Sequence, residues 1–479
     1  MDERHIVAID LGTSKFAVSA AKIEGDDMQV IYYKEHPSDG IRYSKVFNPT
    51  RAGNALKKAL DEVSAELGIK IEKVVVGMPR YEVRQSSNTL KADKNPDECI
   101  TAEEIRSLKE IAIDTYPLED QEHEILFGAV TQSFSIGEDF QLTEDDIIGM
   151  TSGRIEANFK VFIGKSKPLA DITVAFDRAG VPVERRYFTP DSTAQAVLRE
   201  SEIENGVALV DLGGGVTSVA IYYRGIMRHY ASIPFGGKNI TNDIKSEACI
   251  TEALAENIKL AFGACMPDRL QSMSEKIIHI SSDSAAPSKQ IPVKYLSETI
   301  TARMTEIIEA VLYEIEKSGL ADQIKSGIVI TGGGANLANC ATLIKEMSGY
   351  NVRMGYPRKM FSASGCSGVF ETGAATSIGI LLAAKSEANI DCCSPGNTYH
   401  PVEKPETGVP EDSDPVTDID GQGRLGGDFE TAPVPDTTPE EKKKPKTPKP
   451  PKPPKEPKEP SKFKVFLRTL WDEMNSEEA

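Results

Sequence analysis

The chain has little of what would identify its class at a glance. Aromatic residues make up 6% of its 479 positions, and the single tryptophan is Trp471. Seven scattered cysteines (Cys99, Cys249, Cys265, Cys340, Cys366, Cys392 and Cys393) form no CxxC pair and have no histidine at metal-ligand spacing. No zinc site or redox pair is expected of such a set, which suits free thiols in a reducing compartment. Positive charge is outnumbered, with 55 Lys and Arg against 73 Asp and Glu, and a net charge of -18 excludes a general nucleic-acid binder. Apolar runs such as 378–384 fall far short of the ~20 residues that span a bilayer. The first residues lead straight into an apolar strand without secretory character, so a cytoplasmic body is expected. The phosphate loop G-x-x-x-x-G-K-[ST] is also missing. Gly164-Lys165-Ser166 imitates its end, but Phe159 stands at the first glycine position. The G-x-G-x-x-G match at Gly421, Gly423 and Gly426 has no strand before it and lies in proline-rich chain.

What is present is one pattern that occurs twice. Ile6-Val7-Ala8-Ile9-Asp10-Leu11-Gly12-Thr13-Ser14 leads into an apolar stretch over 16–23 and a third strand over 28–33. Val207-Ala208-Leu209-Val210-Asp211-Leu212-Gly213-Gly214-Gly215 leads likewise into 216–223 and 226–233. Each copy predicts a buried strand, a turn opening with Asp-Leu-Gly and a second strand. Such a turn offers backbone N–H groups to a phosphate and a carboxylate to a hydrated divalent cation. One Asp-x-Gly turn is an ordinary hairpin; two in matching contexts suggest two half-domains gripping one polyphosphate from both sides. A third glycine-rich turn, Thr331-Gly332-Gly333-Gly334, also follows a strand.

Between these turns the texture alternates. Asn48 and Pro49 open a helix with Ala52, Leu56, Ala59, Leu60, Val63 and Leu67 on one face, stopped by Gly68. Thr101 and Glu104 form a capping box for a helix bearing Ile105, Leu108 and Ala112. Helices are expected near 169–179, 191–200, 251–262 and 296–315, and the last core helix, 373–384, is rich enough in Gly and Ala for a backbone to pack closely on it. Of the 29 prolines, 16 fall between Pro395 and Pro460, so packing is expected to stop near Ala384 and give way to a disordered linker. Such a coil reaches roughly 50 Å on average. It ends in a helical stripe of Phe463, Phe466, Leu467, Leu470, Trp471 and Met474, with Lys462, Lys464 and Arg468 off the stripe. With no core nearby, the stripe suits an anionic membrane surface or a partner groove. The basic run upstream favours the membrane, and Asp472, Glu473, Glu477 and Glu478 make the binding reversible.

Two phosphate turns, a third glycine turn and two connecting helices resemble the actin, heat-shock-chaperone and sugar-kinase superfamily of ATPases. The resemblance implies an α/β actin-like ATPase fold, with two ribonuclease-H-like lobes around a nucleotide cleft holding ATP and Mg²⁺. Asp10 and Asp211 would hold Mg²⁺ through water, with Asp211 also catalytic, and Gly12, Thr13, Ser14 and Lys15 would meet the phosphates. Gly213, Gly214, Gly215 and Thr217 would form the opposite loop, with Gly332, Gly333 and Gly334 near the adenosine. Glu256 and Lys259 match the family's ribose-binding Glu-x-x-Lys helix; otherwise they read as a surface ion pair at i,i+3.

Within that superfamily the chain resembles the FtsA family of bacterial division proteins. The matching segments are Gly149-Met150-Thr151-Ser152-Gly153-Arg154-Ile155-Glu156-Ala157 and Gly236-Gly237-Lys238-Asn239-Ile240-Thr241-Asn242-Asp243-Ile244, together with the linker and terminal helix. This resemblance implies a first lobe over 1–80 and 165–200 with an inserted α+β subdomain at 81–164. The second lobe would cover 201–240 and 311–385, with its own insertion at 241–310, then a linker at 386–460 and an amphipathic helix at 461–479. It implies self-assembly into filaments on the cytoplasmic face of the cell membrane at the division septum. It also implies a tether for FtsZ filaments through 242–311, contact with later division proteins and anionic lipids, and at most weak ATP hydrolysis. Gly77-Met78-Pro79-Arg80-Tyr81 departs from the family's Ser-His pattern at the entry to the insertion. Gln195 is the candidate for orienting water, or else simply packs the hinge helix. A small-molecule kinase, a chaperone and a pilus-assembly platform stay open. A kinase needs an acceptor pocket with a carboxylate base, a chaperone a folded domain after the ATPase, and a pilus platform no lipid-binding helix.

Overall fold

The computed structural model describes residues 3–137, 139–280, 289–358 and 360–398. The linker from 399 onward and the amphipathic segment at 461–479 lie outside the described residues.

Two sheets repeat one plan. In the first, Arg4–Asp10, Lys15–Glu24 and Asp27–Pro37 form an antiparallel meander. Val74–Gly77 joins Arg4–Asp10 in parallel, and Val183–Tyr187 joins Val74–Gly77 in parallel. In the second, Val207–Leu212, Thr217–Tyr223 and Ile226–Ile233 make the same meander. Ile328–Thr331 and Val352–Met354 extend it in parallel on the corresponding side. The opening strand of each half is apolar throughout because it is covered on both faces: Ile6 to Ile9 and Val207 to Val210 are all buried. Asp10 pairs with Ala17 and Asp211 with Ser218, so each carboxylate stands at the turn end of its hairpin.

Helix Pro49–Leu67 covers the first sheet with Ala52, Leu56, Ala59, Leu60 and Val63, the stripe that its spacing predicts. The Asn48 side chain accepts from the Arg51 N–H at 3.1 Å, and Gly68 ends the helix at φ 68°. Between the two parallel strands of this lobe the chain builds a separate four-stranded antiparallel sheet from Arg84–Asp93, Glu124–Ile136, Asp139–Leu142 and Arg154–Lys165. Helix Ala102–Asp114 packs on it under the Thr101–Glu104 capping box, around a core that includes Ile105, Leu108, Phe134 and Phe159.

Two helices join the halves. Thr189–Val197 touches both, since the Thr189 hydroxyl donates to the Met78 carbonyl at 3.3 Å and the Tyr222 hydroxyl to the Pro190 carbonyl at 3.4 Å. Ala375–Lys385 lies against it so closely that a Cβ at Gly379 would stand 2.1 Å from the Ser192 carbonyl oxygen.

Two expectations need correction. The helix over 191–200 breaks at Leu198, and a second one, Glu200–Asn205, restarts where the Glu202 carboxylate accepts from the Arg199 N–H at 2.9 Å. Packing also continues past 386. Ile390, Cys392 and Cys393 are buried, Cys393–Thr398 pairs with Ile69–Ile71, and the Arg4 guanidinium donates to the carbonyls of Lys385, Glu387 and Ile390. The proline-rich composition beyond Ala384 masks a short strand that returns to the first lobe.

Candidate functional site

The turn ends of the two hairpins meet across a cleft of about 830 Å³, a volume that suits a mononucleotide. From the first half, Asp10, Gly12, Thr13, Ser14 and Lys15 line it; from the second, Asp211, Gly213, Gly214, Glu256, Lys259 and Gly332 to Gly334. The loops touch, since a Cβ on Gly214 would lie 2.3 Å from Ser14 Oγ.

Local bonds hold each piece. Thr13 Oγ1 accepts from the Ser44 N–H at 3.0 Å, and Ser38 Oγ donates to the Gly12 carbonyl at 2.7 Å. Lys15 Nζ is paired with Glu35 Oε2 at 2.6 Å, at the rim. The second loop closes through Gly213 N–H to Val216 O at 3.0 Å, and it accepts from Gly237 N–H at 3.0 Å and Lys238 N–H at 2.7 Å. Helix Glu252–Phe262, capped by Thr251, presents Glu256 and Lys259 on one turn. Lys259 Nζ donates to Glu256 Oε2 at 2.7 Å, Thr241 Oγ1 at 2.8 Å and the Gly237 carbonyl at 3.0 Å. Burial lowers the Lys259 pKa from its ordinary value, against the pull of Glu256. Gly332 adopts φ 82°, where a Cβ would stand 2.3 Å from Asp211 Oδ1; only glycine fits there.

Between the two aspartates lies a residue that motif reading passed over. Arg80 donates through Nη1 to Asp211 Oδ2, and through Nη2 to Asp10 Oδ1 at 3.1 Å and Thr376 Oγ1 at 3.4 Å. The side chains are 9% (Arg80), 9% (Asp211) and 15% (Asp10) exposed. Tyr230 Oη donates to the Arg80 carbonyl at 2.6 Å and fixes the backbone. Burial works to lower the Arg80 pKa, but Asp211 and Asp10 outweigh it and hold it above the ordinary arginine value. Burial raises the Asp10 carboxyl despite the neighbouring guanidinium.

Several expected site residues stand elsewhere. Gln195 is exposed on its helix, away from the cleft wall, so it is not placed to orient water there. Thr193, two residues earlier and hence near the opposite side of the helix, is the one facing inward, 3.0 Å from Thr376 Oγ1. Thr217 is fully buried with its hydroxyl on the Phe235 carbonyl at 2.9 Å, and Gly215 packs against Thr13 instead of lining the cavity. The aspartate pair does not fit a shared Mg²⁺ in this arrangement, because the Arg80 guanidinium already bonds both carboxylates. The sequence reading also missed Glu35, Ser44, Lys238, Asn336, Thr372 and Thr376 on the walls. Two wall residues left a trace there: Arg80 as part of the departure at 77–81 and Lys238 within the family-matching segment 236–244.

A family model described as "Cell division protein FtsA" matches residues 208–379, which span the second loop, the Glu256–Lys259 helix and the third glycine turn. The cell division protein FtsA of Neisseria meningitidis serogroup B is 30% identical over 391 residues, covering 81% of this chain and 92% of that protein. The protein of the same name from Bacillus subtilis is 25% identical over 386 residues, covering 80% and 84%. Among solved structures, a chain titled "PilM-PilN type IV pilus biogenesis complex" superimposes with a TM-score of 0.57 over 79% of this chain and 98% of that one. At 14% identity this is a likeness of fold.

Proposed function

Because the chain belongs to the FtsA family of cell-division proteins and has an actin-like ATPase fold, we propose that it is a nucleotide-dependent membrane scaffold for division filaments. One observation carries the nucleotide half: two equivalent hairpin ends, a Glu-x-x-Lys helix and a third glycine turn converge on one cleft. ATP would lie with its phosphates on the N–H groups of the 12–15 and 213–214 loops. Glu256 and Lys259 would take the ribose, and Gly332 to Gly334 would face the adenosine. Bound ATP supplies a polyanion that draws both loops onto one ligand and favours the closed lobes. Turnover would be slow, since an in-line water needs an orienting group and Gln195 faces outward.

Self-association, the hold on FtsZ filaments through 242–311 and contact with later division proteins come to this chain from the family. The cytoplasmic membrane face at the septum is the proposed location. Among the described residues no helix is long and apolar enough to cross a membrane. Attachment is assigned to the stripe from Phe463 to Met474, helped by the lysines before it, each adding about 1 kcal/mol near an anionic surface.

Two measurements on the full chain test this reading. Calorimetric titration with ATP should show one saturable site; no heat and no competition by ADP would end the nucleotide proposal. In flotation, wild-type protein should rise with anionic vesicles, and deletion of 463–479 should cut the bound fraction about tenfold or more. Undiminished flotation of the deletion would move the anchor elsewhere.

A further inference from the structure

Arg80 follows the buried strand Val74–Gly77 of the first lobe and reaches Asp211 of the second. It meets the carboxylates of both hairpins at once, at the centre of the duplicated site. Its position is built in: the side chain is nearly all buried, Tyr230 holds its carbonyl, and Thr376 of the hinge helix accepts from Nη2. A guanidinium stays charged at any pH the fold survives, so it is a permanent cation, and its planar fork suits two facing carboxylates. Mg²⁺ demands a near-octahedral oxygen shell and keeps most of its waters. To enter between Asp10 and Asp211 it would have to sit beside this guanidinium and break its bonds. Swinging Arg80 away would leave two buried carboxylates facing one another until the ion arrived.

We infer that Arg80 takes the place of a protein-held divalent cation: the chain lends no carboxylate to a metal, and the phosphates meet a resident guanidinium instead. The inference rests on the nucleotide reading of the cleft. It makes Arg80 a positioning residue that ties the two lobes together and sets the charge the phosphates meet. Any Mg²⁺ that arrives with ATP stays on the phosphates and their waters.

The test uses the full-length protein without nucleotide and Mn²⁺ as a paramagnetic stand-in for Mg²⁺, with free ion followed by electron paramagnetic resonance. Wild type should leave Mn²⁺ free. Arg80→Ala should gain one site about tenfold or more tighter than any in wild type, and Asp211→Asn added to that variant should abolish it. Arg80→Ala should also melt lower than wild type and recover on adding Mg²⁺, while wild-type melting ignores Mg²⁺. If Arg80→Ala does not fold, Arg80→Gln keeps most of the volume and loses the charge, and the wild-type titration needs no variant. One Mn²⁺ bound by wild type and released by Asp10→Asn would overturn the inference. ATP titrated into wild type should bind equally well with Mg²⁺ and with EDTA, whereas strong dependence on Mg²⁺ would count against Arg80. Absence of ATP binding under both conditions would overturn the nucleotide reading, and the Mn²⁺ titration would still decide the role of Arg80.

Discussion

Gly333→Trp is expected to abolish ATP binding while leaving the protein folded. Gly333 lines the cleft, has no positive φ and has nothing within 4 Å of where its Cβ would be. The first side-chain carbon therefore has room, and the indole beyond it would occupy the wall assigned to the adenosine. Folding stability should change by less than about 1 kcal/mol, as for a surface substitution that slightly stiffens the unfolded chain. Affinity for ATP should fall by about 100-fold or more, equivalent to ~2.7 kcal/mol. Calorimetry with ATP, alongside a urea unfolding curve, separates the two effects. Wild-type affinity in a folded Gly333→Trp protein would place the ligand away from the third glycine turn.

The second large effect concerns the hinge. Gly379→Leu should destabilise the protein by about 3 kcal/mol, the upper part of the range for overpacking. The new Cβ would stand 2.1 Å from the Ser192 carbonyl oxygen, 2.4 Å from its carbon and 3.0 Å from the Thr193 nitrogen. All three are backbone atoms of the neighbouring helix, so no rotamer change relieves the contact. The helices must part, and the 3.0 Å bond between Thr193 and Thr376 goes with them. Thr376 also accepts from Arg80, so the displacement should reach the cleft and weaken ATP binding. A lower unfolding midpoint together with lower ATP affinity is the expected pair. An unchanged midpoint would mean that the two helices are not packed as described.

Much of this protein can be read along the chain because its signals are local. The two Asp-Leu-Gly turns, the Asn48 and Thr101 caps and the stripe from Ala52 to Val63 each need only neighbours within a turn or a hairpin. Even the Gly and Ala content of 373–384 pointed to a close helix contact, which Gly379 makes. Misreadings arose where the deciding partner is remote. Gln195 and Thr193 share one helix, and only the packing of Ala375–Lys385 against it shows which faces inward. The segment after Lys385 looks like linker by composition, yet Arg4 and Ile69–Ile71, at the far end of the chain, give it hydrogen bonds and cover.

What the amino-acid sequence determined by itself is the duplicated hairpin, the elements around it and the family, because strand period, turn chemistry and capping act over a few residues. What only the tertiary structure decided is the charge balance of the cleft. Arg80 meets Asp10 and Asp211 across separations of 70 and 131 residues. Coulomb interaction depends on distance in space, and no spacing along the chain shows that a guanidinium would close the gap between two carboxylates.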